Sequence, residues 1–439
     1  MNKLLIKPIS KRLVPLYILL FVCTSKWLFE GILDMPILED VILMVAVAAA
    51  MVQARGKIRG SVAVWLLYIA NLILSVLLHD PTVGRLGRAM LMSLMTGLIL
   101  FMDDEPDTYD EIYSRVIRLA VFYAAFLVLQ FVLRTGFNSL YFPLLTPSYQ
   151  YVANHYYSRG YFFGLMFNPH QIAALMALAI VTLALRQMIG SEKKPSRWVL
   201  AVALFVPLLL TQKKGVLGFS LVAFFIVVCI LYATRKQALK IIGITAAIAV
   251  VLTVLVRYSL THTNSVFFYR IANFVTRLAA GEISDSGRSA LYSIAILEFG
   301  RHKLLGIGWR MFNGTIRSTY GYQTGHEVNM DYLQWLCETG IIGFIMNVIP
   351  VLVMLYRSLL VSFRYARKME NSRKKCVIMI ALYTQLFTVL YAFFEIPFYD
   401  NLCFGLYVLS CVVINGAYYE MRRSLSADGA LEPQIGEAL

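Results

Sequence analysis

The chain has 439 residues, 59% of them hydrophobic and only 15% charged, with a mean hydropathy of +0.68. That leaves too little polar material to coat a soluble globule of this size, so composition excludes a soluble domain and predicts an all-α polytopic membrane protein. The formal charge of +15 does not point to nucleic acid, because most Lys and Arg fall in alternate connections between apolar segments, the pattern that orients membrane chains.

In chain order, Lys3, Lys7, Lys11 and Arg12 precede the first apolar run and no small-residue cleavage site follows, so the N-terminus reads as an uncleaved span. Twelve apolar segments near bilayer length occur, at roughly 13–30, 37–53, 61–78, 88–102, 116–133, 169–188, 198–210, 216–232, 241–256, 338–359, 376–393 and 402–419. Arg55, Lys57 and Arg59 follow the second. Lys193, Lys194 and Arg197 follow the sixth, and Arg235, Lys236 and Lys240 the eighth. Arg364, Arg367, Lys368 and Arg373 to Lys375 follow the tenth. This alternation predicts cytoplasmic termini and one large outward loop, 257–337, between spans nine and ten. Residues 1–423 read as a single integral membrane domain and 424–439 as a disordered cytoplasmic tail. The six cysteines lie in or beside apolar spans without paired spacing, so neither a disulfide framework nor a Cys-based metal site is expected.

Most outward connections are short or weakly charged, such as EGILDMP (30–36) and EIPFYDN (395–401). Three are not. Residues 134–168 are dense in Tyr and Phe, which form an interfacial belt or stack on sugar faces. Arg159 lies there, and Asn168, Pro169 and His170 open the sixth span, with Asn168 as N-cap and Pro169 in the first turn. TQKKG (211–215) puts Lys213 and Lys214 in a tight outer turn, although a charge drawn toward hydrocarbon costs about 2.5–3.5 kcal/mol. They either snorkel to lipid phosphates or meet an anionic substrate. The third is 257–343, the long polar interruption. There Arg288 to Phe299 reads as an amphipathic helix capped by Asp285 or Ser286, with Leu291, Ile294, Ile296 and Leu297 as apolar surface.

This topology sends Arg159, His170, Lys213, Lys214, Arg288, Arg310 and His326 to the outer face from three separate loops. Together they would form a cationic site at head-group level, suited to a lipid-linked phosphate or diphosphate. Such a site can stabilise a diphosphate leaving an anomeric carbon, with no metal or other cofactor, while His326, Glu327 or Asp331 serves as base.

Four signals then resemble the bacterial O-antigen ligase and polysaccharide polymerase superfamily, in its usual order. GLMFNPHQIA (164–173) is similar to its Asn-Pro-Asn motif, with His170 in place of the second Asn, and TQKKG to its basic outer turn. GRSALYSIAILEFGRHKLLGIGWRMF (287–312) resembles its Arg, aromatic, Pro-Leu-Leu-Gly-Xaa-Gly segment, so that Arg288 matches the family Arg and Lys303 stands where Pro is common. DYLQWLCETGIIGF (331–344) is similar to the stretch after the family's His-Asn pair. By spacing that pair falls on Asn329 and Met330; His326 lies three residues earlier, a separation that shares a face if the segment is helical.

The resemblance implies a membrane glycosyltransferase of the bacterial cytoplasmic membrane, moving glycans from undecaprenyl diphosphate at the outer face. In a polymerase the acceptor is another lipid-linked repeat unit, and in a ligase a different molecule. The expected catalytic residues are Arg288, which the resemblance implies, and His326, which the outer-face topology offers as a base. Lys213, Lys214, Arg159, Asn168, His170, Arg310, Glu327, Asn329 and Asp331 are the expected substrate contacts. A chain-length regulator and a flippase are the implied protein partners.

Two rivals remain at this level. DDEPD (103–107) fits the Asp-rich pattern by which membrane prenyltransferases hold magnesium, but no second acidic motif accompanies it, so a solvated acidic loop is the plainer reading. A flippase or other transporter is expected to show repeated halves, and none is evident here.

Overall fold

The computed structural model describes residues 13–54, 62–102, 105–190, 193–232, 288–322 and 326–427, with a few positions between 250 and 276. Among the described residues the regular elements are all helical. They are α1 (Val14–Thr24), α2 (Pro36–Ala54), α3 (Trp65–His79), α4 (Val83–Phe101), α5 (Asp110–Leu133), α6 (Thr135–Tyr141), α7 (Pro147–Ser158) and α8 (Pro169–Ile189). After them come α9 (Pro195–Leu210), α10 (Lys214–Leu231), α11 (Arg288–Arg301), α12 (Phe312–Tyr320), α13 (Asp331–Arg364), α14 (Ser372–Tyr391) and α15 (Asn401–Ala427).

Among the described residues, eight helices are long and apolar enough to cross a membrane: α2, α4, α5, α8, α10, α13, α14 and α15. Helices α1, α3 and α9 are apolar but shorter. Eleven of the twelve predicted segments thus fall on described helices, while that at 241–256 lies almost wholly outside the described residues. The first predicted segment, 13–30, is not one helix. Thr24 Oγ1 donates back to the Leu20 and Phe21 carbonyls at 3.1 and 2.8 Å, competing with the backbone ladder, and the chain turns into a π-helical segment, Trp27–Ile32.

Helices α8, α14 and α15 have 72%, 83% and 89% of their apolar windows buried, against 28% for α2, so they form the centre of the bundle. Helix α14 packs on α8, α10, α13 and α15. On the outside, Ile342, Ile345, Ile349, Leu352 and Tyr356 of α13 are exposed at helical spacing, a stripe suited to lipid. Its inner face meets α3, where Asn347 accepts from Asn71 at 2.9 Å. Gly343 makes that approach possible: a Cβ there would stand 2.3 Å from Asn71 Oδ1.

Helix α13 is broken near its head. Gly340 sits at φ 63°, ψ −171°, and the freed groups bond to the segment before α12. Ile341 N–H donates to Lys303 O at 2.9 Å, Ile307 N–H to Cys337 O at 3.1 Å and Gly308 N–H to Glu338 O at 2.8 Å. Gly306 and Gly340 face each other's backbones so closely that a Cβ on either would lie 2.3 Å from the opposing chain. The LLGIG and ETG motifs are therefore two halves of one junction. Irregular backbone is tolerated here because these freed groups find protein partners.

Basic residues gather at one end of the bundle. Arg186 and Arg373 both bond Asp110, at 2.6 and 3.0 Å, and Lys374 reaches Glu420 at 2.6 Å and Glu105 at 3.6 Å. The described part of the acidic DDEPD stretch and its continuation thus answers these cations; Asp103 and Asp104 lie outside the described residues, as do Asp285, Ser286, the basic groups at 55–59 and 235–240, and the tail from 428. The candidate site is at the opposite end.

Candidate functional site

Chemistry gathers where the heads of α8, α10, α11 and α13 meet the tail of α14. The loop entering α8 is pinned by Gln130, whose Oε1 accepts from the Phe163 and Gly164 N–H groups at 2.9 Å each. Asn168 then caps the helix as the sequence predicts, its Oδ1 accepting from His170 N–H at 2.9 Å.

That cap fixes the His170 ring, whose Nδ1 lies 2.6 Å from Tyr391 Oη and whose Nε2 lies 2.6 Å from Lys213 Nζ. An ammonium has only donors, so Nε2 accepts, Nδ1 carries the proton and His170 is neutral in this arrangement. Its 3.3 Å approach to Glu395 Oε1 is accordingly a contact and not an ion pair. The Lys213 ammonium also lies over the rings of Tyr161, at 4.7 Å, and Tyr156, at 5.8 Å, so the side chain turns into the protein instead of out toward lipid. Lys214, the first residue of α10, is exposed.

Arg288 opens α11, where Leu291 and Ala295 are buried, while Ile296 and Leu297, expected in the apolar face, are exposed. Their spacing from Leu291 puts them on the far side of a helix whose inner face packs on α13. Arg288 Nη2 donates to Glu395 Oε1 at 2.7 Å and Nη1 to Phe394 O at 3.0 Å. Burial raises the proton affinity of Glu395 above that of an ordinary carboxylate, and Arg288 and Lys213 act against that rise. Arg288, Lys213 and His170, from three distant stretches, thus converge around one largely buried carboxylate.

The loop carrying Glu395 is held by Asp331. This residue is buried, its Oδ2 accepts from Phe398 N–H at 3.0 Å, and its own N–H donates to Ala392 O at 2.9 Å and Glu395 O at 3.2 Å. Oδ2 is committed to the loop, whereas the buried Oδ1 has no hydrogen-bond partner among the described residues. Arg310 enters a neighbouring network: its N–H and that of Phe312 donate to the buried Glu338, at 2.9 and 3.2 Å, while its Nη2 reaches Tyr399 O at 2.6 Å. Tyr399 Oη also donates to Glu338, at 2.6 Å. Glu327 accepts from Gln334 Nε2 at 2.7 Å.

His326 is exposed, its ring 6.0 Å from that of Tyr322 and edge-on to it. Residues 326–330 precede α13 and are not helical, and Asn329 has φ 58°, so the condition under which His326 and Asn329 would share a helix face is not met. Arg159, exposed at the end of α7, belongs to the same neighbourhood as His326. Burial first, then these two residues, lower the proton affinity of His155.

Glu395 and Tyr391 escaped sequence reasoning. A carboxylate in a short outward connection does not run against the charge bias as the lysines of TQKKG do, so the sequence offered no signal for Glu395.

A search of curated proteins found no match. Residues 198–348 match the family model described as O-Antigen ligase, a stretch that includes Lys213, Arg288, Arg310, Asp331 and the Gly306–Gly340 junction. On that match this part of the chain is similar to the O-antigen ligase family, in line with the resemblance carried by the motifs.

Proposed function

We propose that this protein transfers a glycan from undecaprenyl diphosphate to an acceptor hydroxyl at the outer face of the bacterial cytoplasmic membrane, with another lipid-linked repeat unit as acceptor, and so polymerises a surface polysaccharide. The observation that carries the reading is the convergence of Arg288, Lys213 and His170 at one end of an apolar bundle.

In this reading the planar Arg288 fork and the Lys213 point charge take the diphosphate oxygens. The bond from the anomeric carbon to the diphosphate oxygen breaks, its electron pair stays on the diphosphate, and the two cations stabilise that charge as a metal would elsewhere. The acceptor oxygen bonds the anomeric carbon and releases its proton to Glu395, the carboxylate freed when the diphosphate displaces it from Arg288. Asp331 positions that carboxylate, and His170, held neutral, orients Lys213. A flippase delivering the substrate and a regulator of chain length are the partners this activity calls for.

A second reading is favoured by the description of the matching family: the acceptor is a different molecule and the protein is a ligase. Arg288→Ala in the native host, with surface polysaccharide sized by electrophoresis, tests both. Loss of long chains with single repeats still attached identifies a polymerase. Loss of all glycan from the acceptor, with lipid-linked polymer accumulating, identifies a ligase. Repeats trapped at the inner leaflet, or unaltered chains, would contradict transfer at this site.

A further inference from the structure

Beside the cationic cluster lies a cavity of about 210 Å³, far larger than the roughly 10–15 Å³ a single water needs. Its walls come from the turn after α1, from α7, from the head of α8 and from Asp400 ahead of α15. The lining combines rings, Trp27, Tyr149 and Tyr156, with hydrogen-bonding groups, Asn168, Gln171 and Asp400. We infer that this cavity seats a neutral sugar ring of the lipid-linked glycan, next to the diphosphate; the inference rests on the proposed glycosyl transfer.

Three observations support that ligand. The walls are preformed: Trp27 Nε1 donates to Tyr123 Oη at 3.3 Å, Tyr149 Oη donates to Glu30, and Gly31 lies so close to Phe167 that a Cβ would stand 2.2 Å from its ring. The charges do not suit a second anion. Lys26, the cation on the lining, is answered by Glu30 at 3.1 Å, and Asp400 adds a carboxylate that accepts from Gln171 Nε2 and, at 2.9 Å, from Cys403 N–H. Nor do they suit a hydrocarbon chain, which would strip water from Asn168, Gln171 and Asp400 without replacing its hydrogen bonds. A sugar ring offers what both faces need, axial C–H groups for the aromatic rings and paired hydroxyls for the carboxylate and amides.

The cavity is coupled to the cationic cluster through shared residues. Tyr156 lines it and lies under the Lys213 ammonium, and Asn168 lines it and caps the helix that aims His170. A ring in the cavity would therefore place its attached diphosphate beside Lys213 and Arg288.

The test uses the full chain in lipid nanodiscs with two probes: undecaprenyl diphosphate, and the lipid-linked oligosaccharide extracted from the native host deleted for this chain. Trp27→Leu and Asp400→Asn should weaken binding of the sugar-bearing lipid about tenfold or more while changing the bare lipid by less than about threefold. Val152→Trp, which fills the cavity from α7, should act the same way and guards against either variant failing to fold. Equal wild-type affinity for both probes, or equal weakening of both by the variants, overturns the inference. Failure of the wild type to bind bare undecaprenyl diphosphate while it still binds the glycosylated lipid strikes the diphosphate reading instead and leaves the sugar cavity standing.

Discussion

At the scale of single residues, Glu395 stands where an anionic ligand would be expected, 2.7 Å from Arg288. A ligand entering the site competes with it. Glu395→Gln keeps the shape, removes the competing charge, and should tighten binding of undecaprenyl diphosphate by up to about tenfold, which is about 1.4 kcal/mol. The same variant should lose glycosyl transfer by about 10²–10⁴-fold, the usual worth of a positioned base. Weaker binding together with lost transfer would mean that Glu395 only holds Arg288 in place. The acid limb of the rate profile should fall above the ordinary Glu value of about 4.3, because burial raises the proton affinity of Glu395 and the base works only when deprotonated. Lys213→Gln removes a charge that opposes this rise, so it should move the limb to higher pH. A pH–rate series on both proteins checks the sign. Arg288 and Lys213 were legible in the sequence because cations in outward loops run against the charge bias of membrane chains, and His170 because it follows the Asn-Pro pair that opens a span. Glu395 was not, since one carboxylate in a short loop becomes conspicuous only when folding brings it to Arg288.

At the scale of elements, the broken helix α13 matters most. Its Gly340 and the facing Gly306, at φ 63° and 71°, hold conformations that side chains tolerate poorly, and each touches the other's chain. Gly340→Ala should lower stability by about 2 kcal/mol or more, from backbone strain plus the clash, read as a lower unfolding midpoint in detergent. It should also disturb Glu338 and so Arg310. An unchanged midpoint would show that the junction yields without cost. The glycines were visible as motifs, but their pairing across more than thirty residues was not, because nothing local distinguishes a turn glycine from one that admits another backbone. The helices themselves were legible from apolar length. The break after Thr24 was not, since it depends on a hydroxyl competing for carbonyls inside an apolar run.

At the scale of the molecule, the described basic residues near Arg186 and Arg373 lie at one end and the Arg288–Glu395 cluster at the other. From the charge bias we expect the cluster to face outward. Ser318→Cys, on α12, should therefore react with a membrane-impermeant thiol reagent on intact spheroplasts, and Asn371→Cys, before α14, only after permeabilisation. Five of the six native cysteines are buried and should add little background. The reverse labelling pattern would invert the topology. At this end of the bundle we propose glycosyl transfer from a lipid diphosphate. It is tested most directly by reconstituting the purified chain with lipid-linked oligosaccharide and measuring released undecaprenyl diphosphate alongside glycan length. Release should be coupled to lengthening or transfer of the glycan and fall at least about a hundredfold in a folded Arg288→Ala protein. Glycan transfer that continues undiminished in that variant, or the absence of any diphosphate release by the wild type, would contradict it.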